Sequence, residues 1–141
     1  MKFLIRIVCL AALLTACSPT TLKDYQLQGI SLMRALTKEL RSINSREDIK
    51  KREKRLEKLY VRISQNLIEA RILYDKEPRP TENAYLEEVA YTLKEELVRV
   101  YQIEGARPLL EAAQASALNL LDEFETKKKL ESESGTNPFR R

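Results

Sequence analysis

The stretch 46–74, "REDIKKREKRLEKLYVRISQNLIEARILY", decides the fold class of this chain of 141 residues. Its apolar side chains recur every three or four positions, which is typical of an α-helix with one buried face. The stripe consists of Ile49, Leu56, Leu59, Tyr60, Ile63, Leu67, Ala70, Leu73 and Tyr74. Ser45 and Asp48 resemble a capping box at its start. The stretch therefore predicts an amphipathic helix about 45 Å long that must pack against other helices.

Three further segments have the same periodicity, and no segment alternates strictly between apolar and polar residues. They predict helices over about 22–43, 82–104 and 107–129, with Thr20 or Thr21 and Thr81 as caps. The breaks are "DKEPRPT" at 75–81 and Gly105, which fits the left-handed position that ends a helix. Connections of two to seven residues favour antiparallel neighbours. We expect an all-α fold over residues 22–129: a compact up-down antiparallel bundle of about four helices, with an elongated hairpin of the first two.

Charge is unequal between the predicted helices. Residues 46–62 contain eight Lys or Arg and four acids, whereas 82–104 contain six Glu, one Lys and one Arg. One interpretation is that adjacent helices have complementary surfaces. The other is a basic patch that binds an acidic partner. That patch consists of Arg46, Lys50, Lys51, Arg52, Lys54 and Arg55. Tyr85 and Tyr91 fit the apolar stripes least well, and they become candidate contact residues if both are exposed together.

The sequence offers little for catalysis. It has no histidine, the usual general base near neutral pH, and no Gly-rich phosphate loop or G-x-S-x-G motif. The pairs Glu87–Glu88 and Glu95–Glu96 are adjacent, so their side chains diverge by about 100° on a helix. We therefore predict a non-enzymatic protein without catalytic residues, metal or cofactor. The nearly balanced charge does not favour a nucleic-acid partner.

The N-terminal stretch 1–17, "MKFLIRIVCLAALLTAC", differs from the rest of the chain. Lys2 and Arg6 precede an apolar run over 7–14, which is shorter than the roughly 20 apolar residues that cross a bilayer. This order of positive charge, apolar run and small residues is that of a secretory signal peptide. We predict that residues 1–16 are a cleaved signal.

The end of that run, Leu14-Thr15-Ala16-Cys17, resembles the lipobox of bacterial lipoproteins. The resemblance covers about the first 18 residues and indicates no specific family for the mature domain. It implies a diacylglycerol on the sulfur of Cys17, a further acyl chain on its amino group, and a lipidated tether over 17–21. Ser18 after the cysteine implies the outer membrane. Because Cys9 leaves with the signal and Cys17 is acylated, no thiol remains for a disulfide.

These observations predict a lipid-anchored envelope protein at the outer membrane, facing the periplasm, whose helical domain binds another envelope protein. It would be accessory to an envelope or secretion assembly. Two alternatives stay open: a pilotin-like chaperone of a secretion component, with an apolar groove between helices three and four, and a structural or surface-exposed lipoprotein. Residues 130–141, "LESESGTNPFRR", have little to bury and are predicted to be a disordered tail. The sequence leaves the partner's identity and the oligomeric state open.

Overall fold

The computed structural model describes residues 19–74, 76 and 84–133. These residues form four helices and no strand, so the predicted all-α four-helix bundle is confirmed. The helices are α1 (Leu22–Arg41), α2 (Arg46–Tyr74), α3 (Ala84–Tyr101) and α4 (Ala106–Glu133). The predicted signal peptide, the predicted lipidation site Cys17 and the end of the predicted tail, 134–141, lie outside the described residues. The start of that tail, 130–133, belongs to α4.

Capping boxes begin the first two helices. The Thr21 hydroxyl accepts from the backbone N–H of Asp24 at 3.2 Å, and the Asp24 carboxylate accepts from the N–H of Thr21 at 3.0 Å. Ser45 and Asp48 make the same exchange at 3.2 and 3.1 Å, as the sequence predicted. These hydrogen bonds satisfy backbone donors that a helix start leaves unpaired. They also lower the pKa of both aspartates.

The C-terminus of α1 is completed by an arginine from another helix. Arg99 of α3 donates to the carbonyl oxygens of Leu40 and Ile43 at 2.7 and 2.9 Å, and its Nε donates to Glu96. The last carbonyls of a helix have no partner within it and carry the negative end of its dipole. Arg99 therefore supplies donors and positive charge where α1 needs both.

The turn between α3 and α4 depends on Gly105. Its φ of +71° lies in the left-handed region that glycine adopts without strain. A Cβ at this position would be 3.2 Å from Cδ of Arg46. The turn begins after Tyr101, so α3 ends earlier than the predicted Glu104. The predicted cap Thr81 lies outside the described residues.

Around the bundle the helices follow the order α1, α2, α4, α3. α1 packs against α2 and α3, α2 packs most extensively against α4, and α3 contacts α4 only sparsely. Helix directions alternate along the chain, so the neighbours α2 and α4 are parallel, as are α1 and α3. The described parts of α2 and α3 make no close backbone contact. The predicted charge complementarity between these two helices is therefore wrong, because they lie on a diagonal.

The core occupies the half of the bundle nearer to the turns at 42–45 and 102–105. It consists of Leu36, Leu40, Ile43, Ile49, Leu56, Val100, Ala106, Leu110 and Ala113. Small residues on α4, Ala113 and Ala117, are buried and allow close approach to α2. Among the described helices, none is both long and apolar enough to cross a membrane.

In the other half of the bundle, the described residues form three helices. The Tyr85 ring, in the first turn of α3, lies 4.9 Å from the guanidinium carbon of Arg34. α3 therefore starts level with the middle of α1, and the first three turns of α1 have no described helix in the fourth position. The two halves of the bundle therefore expose different surfaces.

Candidate functional site

The predicted basic patch is divided by the fold. Two of its members turn toward α1, where the buried carboxylate of Glu39 accepts from Arg52 at 3.0 Å and pairs with Arg55 at 3.0 Å. A buried carboxylate needs such partners, because an unpaired charge is costly away from water. Arg52 and Arg55 therefore have a structural role between α1 and α2, which the sequence did not indicate.

The other four members of the patch are exposed, but they are not equivalent. Arg46 lies beside Gly105 at the turn between α3 and α4. Lys54 is three and four residues from Lys51 and Lys50, so these three lysines share one exposed side of α2. What remains of the predicted patch is a group of three lysines at the end of the bundle far from the chain's N-terminus.

The two candidate tyrosines are both exposed but do not form one surface. Tyr85 faces the cleft between α1 and α3, where the Arg34 guanidinium lies over its ring. Tyr91 is 63% exposed, and its hydrogen bond to the Glu95 carboxylate raises the pKa of its hydroxyl. Six residues place the two rings about 120° apart around α3.

Tyr91 has a different neighbour along its helix. Val98 is seven residues further on, about two turns, and is also exposed. Both therefore lie on the outer face of α3, with the carboxylate of Glu95 between them in sequence. The sequence did not indicate Val98 as a contact residue, because Val98 lies outside the core stripe of α3.

An apolar concavity lies at the three-helix half of the bundle. This groove, of about 490 Å³, lies between the start of α1, the end of α2 and the second half of α4. It is lined by Leu22, Gln26, Leu67, Ile68, Ala70, Arg71, Tyr74, Leu121, Phe124 and Glu125. Arg71 and Glu125 form an ion pair that links α2 to α4. This groove differs from the one predicted between helices three and four, because the described part of α3 does not reach this end of the bundle.

A second cleft, of about 300 Å³, separates α1 from α3 and is far more polar. Its cations are Arg34, which stacks on Tyr85, Lys38, and Arg41, which pairs with Glu96 at 3.2 Å. Two of its three cations are thus engaged in contacts within the bundle. The cleft is best explained as the packing seam of α3 on α1.

Within 19–74, 76 and 84–133, no group of three or more His, Cys, Asp or Glu side chains is placed to hold a metal ion. No known protein family, curated protein or solved structure matches this chain. The function must therefore be inferred from the residues themselves, above all from the two ends of the bundle and the outer face of α3.

Proposed function

We propose that the chain is a lipid-anchored protein of the bacterial envelope that acts by binding another envelope protein rather than by catalysis. The observation that carries the proposal is the lipobox Leu14–Cys17, which ends five residues before α1 begins at Leu22. Each buried methylene of an acyl chain contributes about 0.8 kcal/mol, and two or more chains give stable anchoring. Five residues span at most about 18 Å, so the bundle stays beside the membrane.

The anchor gives the bundle an orientation. The start of α1 and the ends of α2 and α4 lie at the anchored end, while the turns at 42–45 and 102–105 lie at the far end. α3 belongs to the far half, because its first turn is level with Arg34. Its outer face is therefore presented away from the bilayer, where another protein can reach it.

The outer face of α3 is our candidate binding surface. It combines the exposed Tyr91 and Val98 with the carboxylates of Glu87 and Glu95. Tyrosine suits an interface, because its ring gives apolar contact area and its hydroxyl stays hydrogen-bonded. The matching partner surface would contain an apolar strip beside charges that complement Glu87, Glu95 and the exposed Lys94. This surface favours the interaction role over a purely structural one.

The anchor is tested by replacing each cysteine in cells. We expect mass spectrometry of the wild-type protein to find residue 17 as the acylated N-terminus, with the protein in the outer-membrane fraction. Cys17→Ser should abolish both the acylation and the cleavage of the signal peptide. Cys9→Ser, the matched control, should leave both unchanged. An unmodified Cys17 in the wild-type protein would overturn the proposed anchor.

The interaction role is tested by photo-crosslinking in living cells. A photoreactive amino acid at position 91 should give one dominant adduct with an envelope protein. The same amino acid at position 118, equally accessible on α4, should give much less. Equal adduct patterns at the two positions, or none at 91, would contradict a partner surface on α3.

A further inference from the structure

The apolar groove is the part of the bundle that lacks a described fourth helix. α3 has 18 residues, whereas α2 and α4 have 29 and 28. Leu67 lies on the same stripe of α2 as Leu56, yet Leu67 is 53% exposed and Leu56 is fully buried. Tyr74, two turns further along the stripe, is 40% exposed. The core stripe of α2 therefore continues into a region where its side chains are about half exposed.

Three segments of the chain connect to this end of the bundle and, apart from Lys76, lie outside the described residues. The connection 75–83, "DKEPRPTEN", has no large apolar side chain apart from its prolines. The segment 134–141 has one, Phe139, and it follows an α4 that runs about 13 Å past Phe124 before it ends. The N-terminal segment brings Cys17 to within five residues of Leu22, which lines the groove.

We infer that the groove receives an acyl chain attached to Cys17 of the same molecule whenever that chain is outside a bilayer; this rests on the lipidation proposed above. The lining residues from Leu67 to Tyr74 extend over about 10 Å of helix axis. The tether of at most about 18 Å lets the acyl chain start beside that lining. The occupant is thus on the same molecule and needs no separate encounter.

The chemistry of the lining suits a hydrocarbon chain. Leucine, isoleucine, alanine and aromatic side chains provide most of it, and an acyl chain has no polar groups that would lose hydrogen bonds to water. The charged lining residues Arg71 and Glu125 satisfy each other and are about half exposed. They therefore require no polar partner from the occupant.

The groove and the bilayer would compete for the same chain. Both are apolar, but a bilayer accommodates all the acyl chains of one molecule, whereas the groove accommodates part of a single acyl chain. The chain should therefore leave the groove on contact with a membrane. For a protein that crosses an aqueous compartment between two membranes, the groove would reduce the apolar surface exposed during transfer.

The test uses the full mature protein, labelled in cells with a photoreactive fatty acid and then freed of detergent. After irradiation, peptide mapping should find intramolecular adducts on the segments 67–74 and 121–125. Vesicles of phosphatidylethanolamine and phosphatidylglycerol, added before irradiation, should move most of the label from these segments to lipid.

Two variants distinguish the groove from general apolar surface. Leu67 and Leu118 are 53% and 54% exposed, but only Leu67 lines the groove. Leu67→Arg should lower the groove adducts at least fivefold, while Leu118→Arg should leave them within twofold. Circular dichroism should show equal helix content in both variants, so that a loss of adducts cannot come from unfolding.

The possible failures are separable. If residue 17 carries no acyl chain, the proposed function and this inference both fail. If it is acylated but the label maps elsewhere, maps between molecules, or falls equally in both variants, only the inference fails. Capture of a partner's helix in the groove, with the acyl label outside it, would also overturn the inference and favour the pilotin-like role.

Discussion

At the scale of single residues, the important contacts of this bundle join positions far apart in the chain. Arg99 donates to carbonyls 56 and 59 residues away, and Glu39 accepts from arginines on the next helix. From the sequence alone, these residues can be recognised only as charges on their helices, and their contact partners cannot be predicted. The capping boxes could be predicted because their partners are three residues apart, whereas the Arg99 contacts depend on which helices become neighbours.

Replacing Arg99 with Gln should destabilise the protein by roughly 1–2 kcal/mol. The shorter side chain loses hydrogen bonds to two carbonyls that then depend on water alone. The measurement is the free energy of urea unfolding. Arg107→Gln, at an exposed position of α4, should cost less than about 0.5 kcal/mol. Equal effects of the two substitutions would show that the carbonyl contacts contribute nothing.

Asp24 and Asp48 should make the bundle sensitive to acid. Their pKa values are lowered in the folded state by capping hydrogen bonds. Their contribution to stability is therefore present above the unfolded pKa of about 4 and is lost as pH falls through the lower folded value. The midpoint temperature of thermal unfolding should therefore fall as the pH is lowered below about 4.

The double variant D24N/D48N should lose part of this drop, since neither position then titrates. It should also be less stable than the wild-type protein at pH 7. Asp122→Asn, outside any cap, provides the control and should keep the wild-type profile. Parallel profiles for the double variant and the wild-type protein would exclude the caps as the source of acid sensitivity.

At the scale of helices, periodicity and end signals predicted much of what is observed. Both ends of α2 agree with the prediction, because Ser45 caps its start and the proline-rich stretch follows its end. The end of α3 was placed too late, since periodicity does not show that Gln102 to Gly105 form a turn. The stripe also placed Leu67 in line with the core residues of α2, but it could not show that the described part of α3 leaves Leu67 half exposed.

The two described glycines of the bundle should respond differently to alanine. Gly105→Ala should cost about 1–2 kcal/mol, because alanine strains the left-handed conformation and its Cβ meets Arg46. Gly29 is within α1, where alanine's helix propensity offsets a close approach to Asn66, so Gly29→Ala should change stability by less than about 0.5 kcal/mol. Thermal unfolding of both variants measures the difference, and a neutral Gly105→Ala would contradict the turn described here.

At the scale of the whole molecule, the order of helices could not be read from the sequence. Short connections favour adjacent neighbours, yet α2 and α3 lie on a diagonal and α2 packs most extensively on α4. Several arrangements bury the same four stripes, and the choice among them depends on how the surfaces fit. Small residues such as Ala113 and Ala117, which the sequence showed as an alanine-rich segment, determine where the closest approach occurs.

The unequal halves of the bundle should give unequal mutational effects along one stripe. Leu56→Ala should cost about 2–5 kcal/mol, because it opens a cavity in the four-helix core. Leu67→Ala, on the same face of the same helix, should cost less than about 1 kcal/mol because its side chain is half exposed. Urea unfolding at neutral pH gives both values, measured on protein made without acyl chains so that the inferred occupant of the groove is absent. Similar losses would mean that the groove is filled in solution.

The sparse contact between α3 and α4 has a consequence for how the molecule is assembled. Each of these helices rests on a different member of the N-terminal hairpin, α3 on α1 and α4 on α2. The two helices of the C-terminal half thus contact each other little. They reach their folded arrangement by packing on the α1–α2 hairpin. Because the N-terminal half is made first and, in an exported chain, also emerges first from the membrane, the α1–α2 hairpin is already available when α3 and α4 emerge.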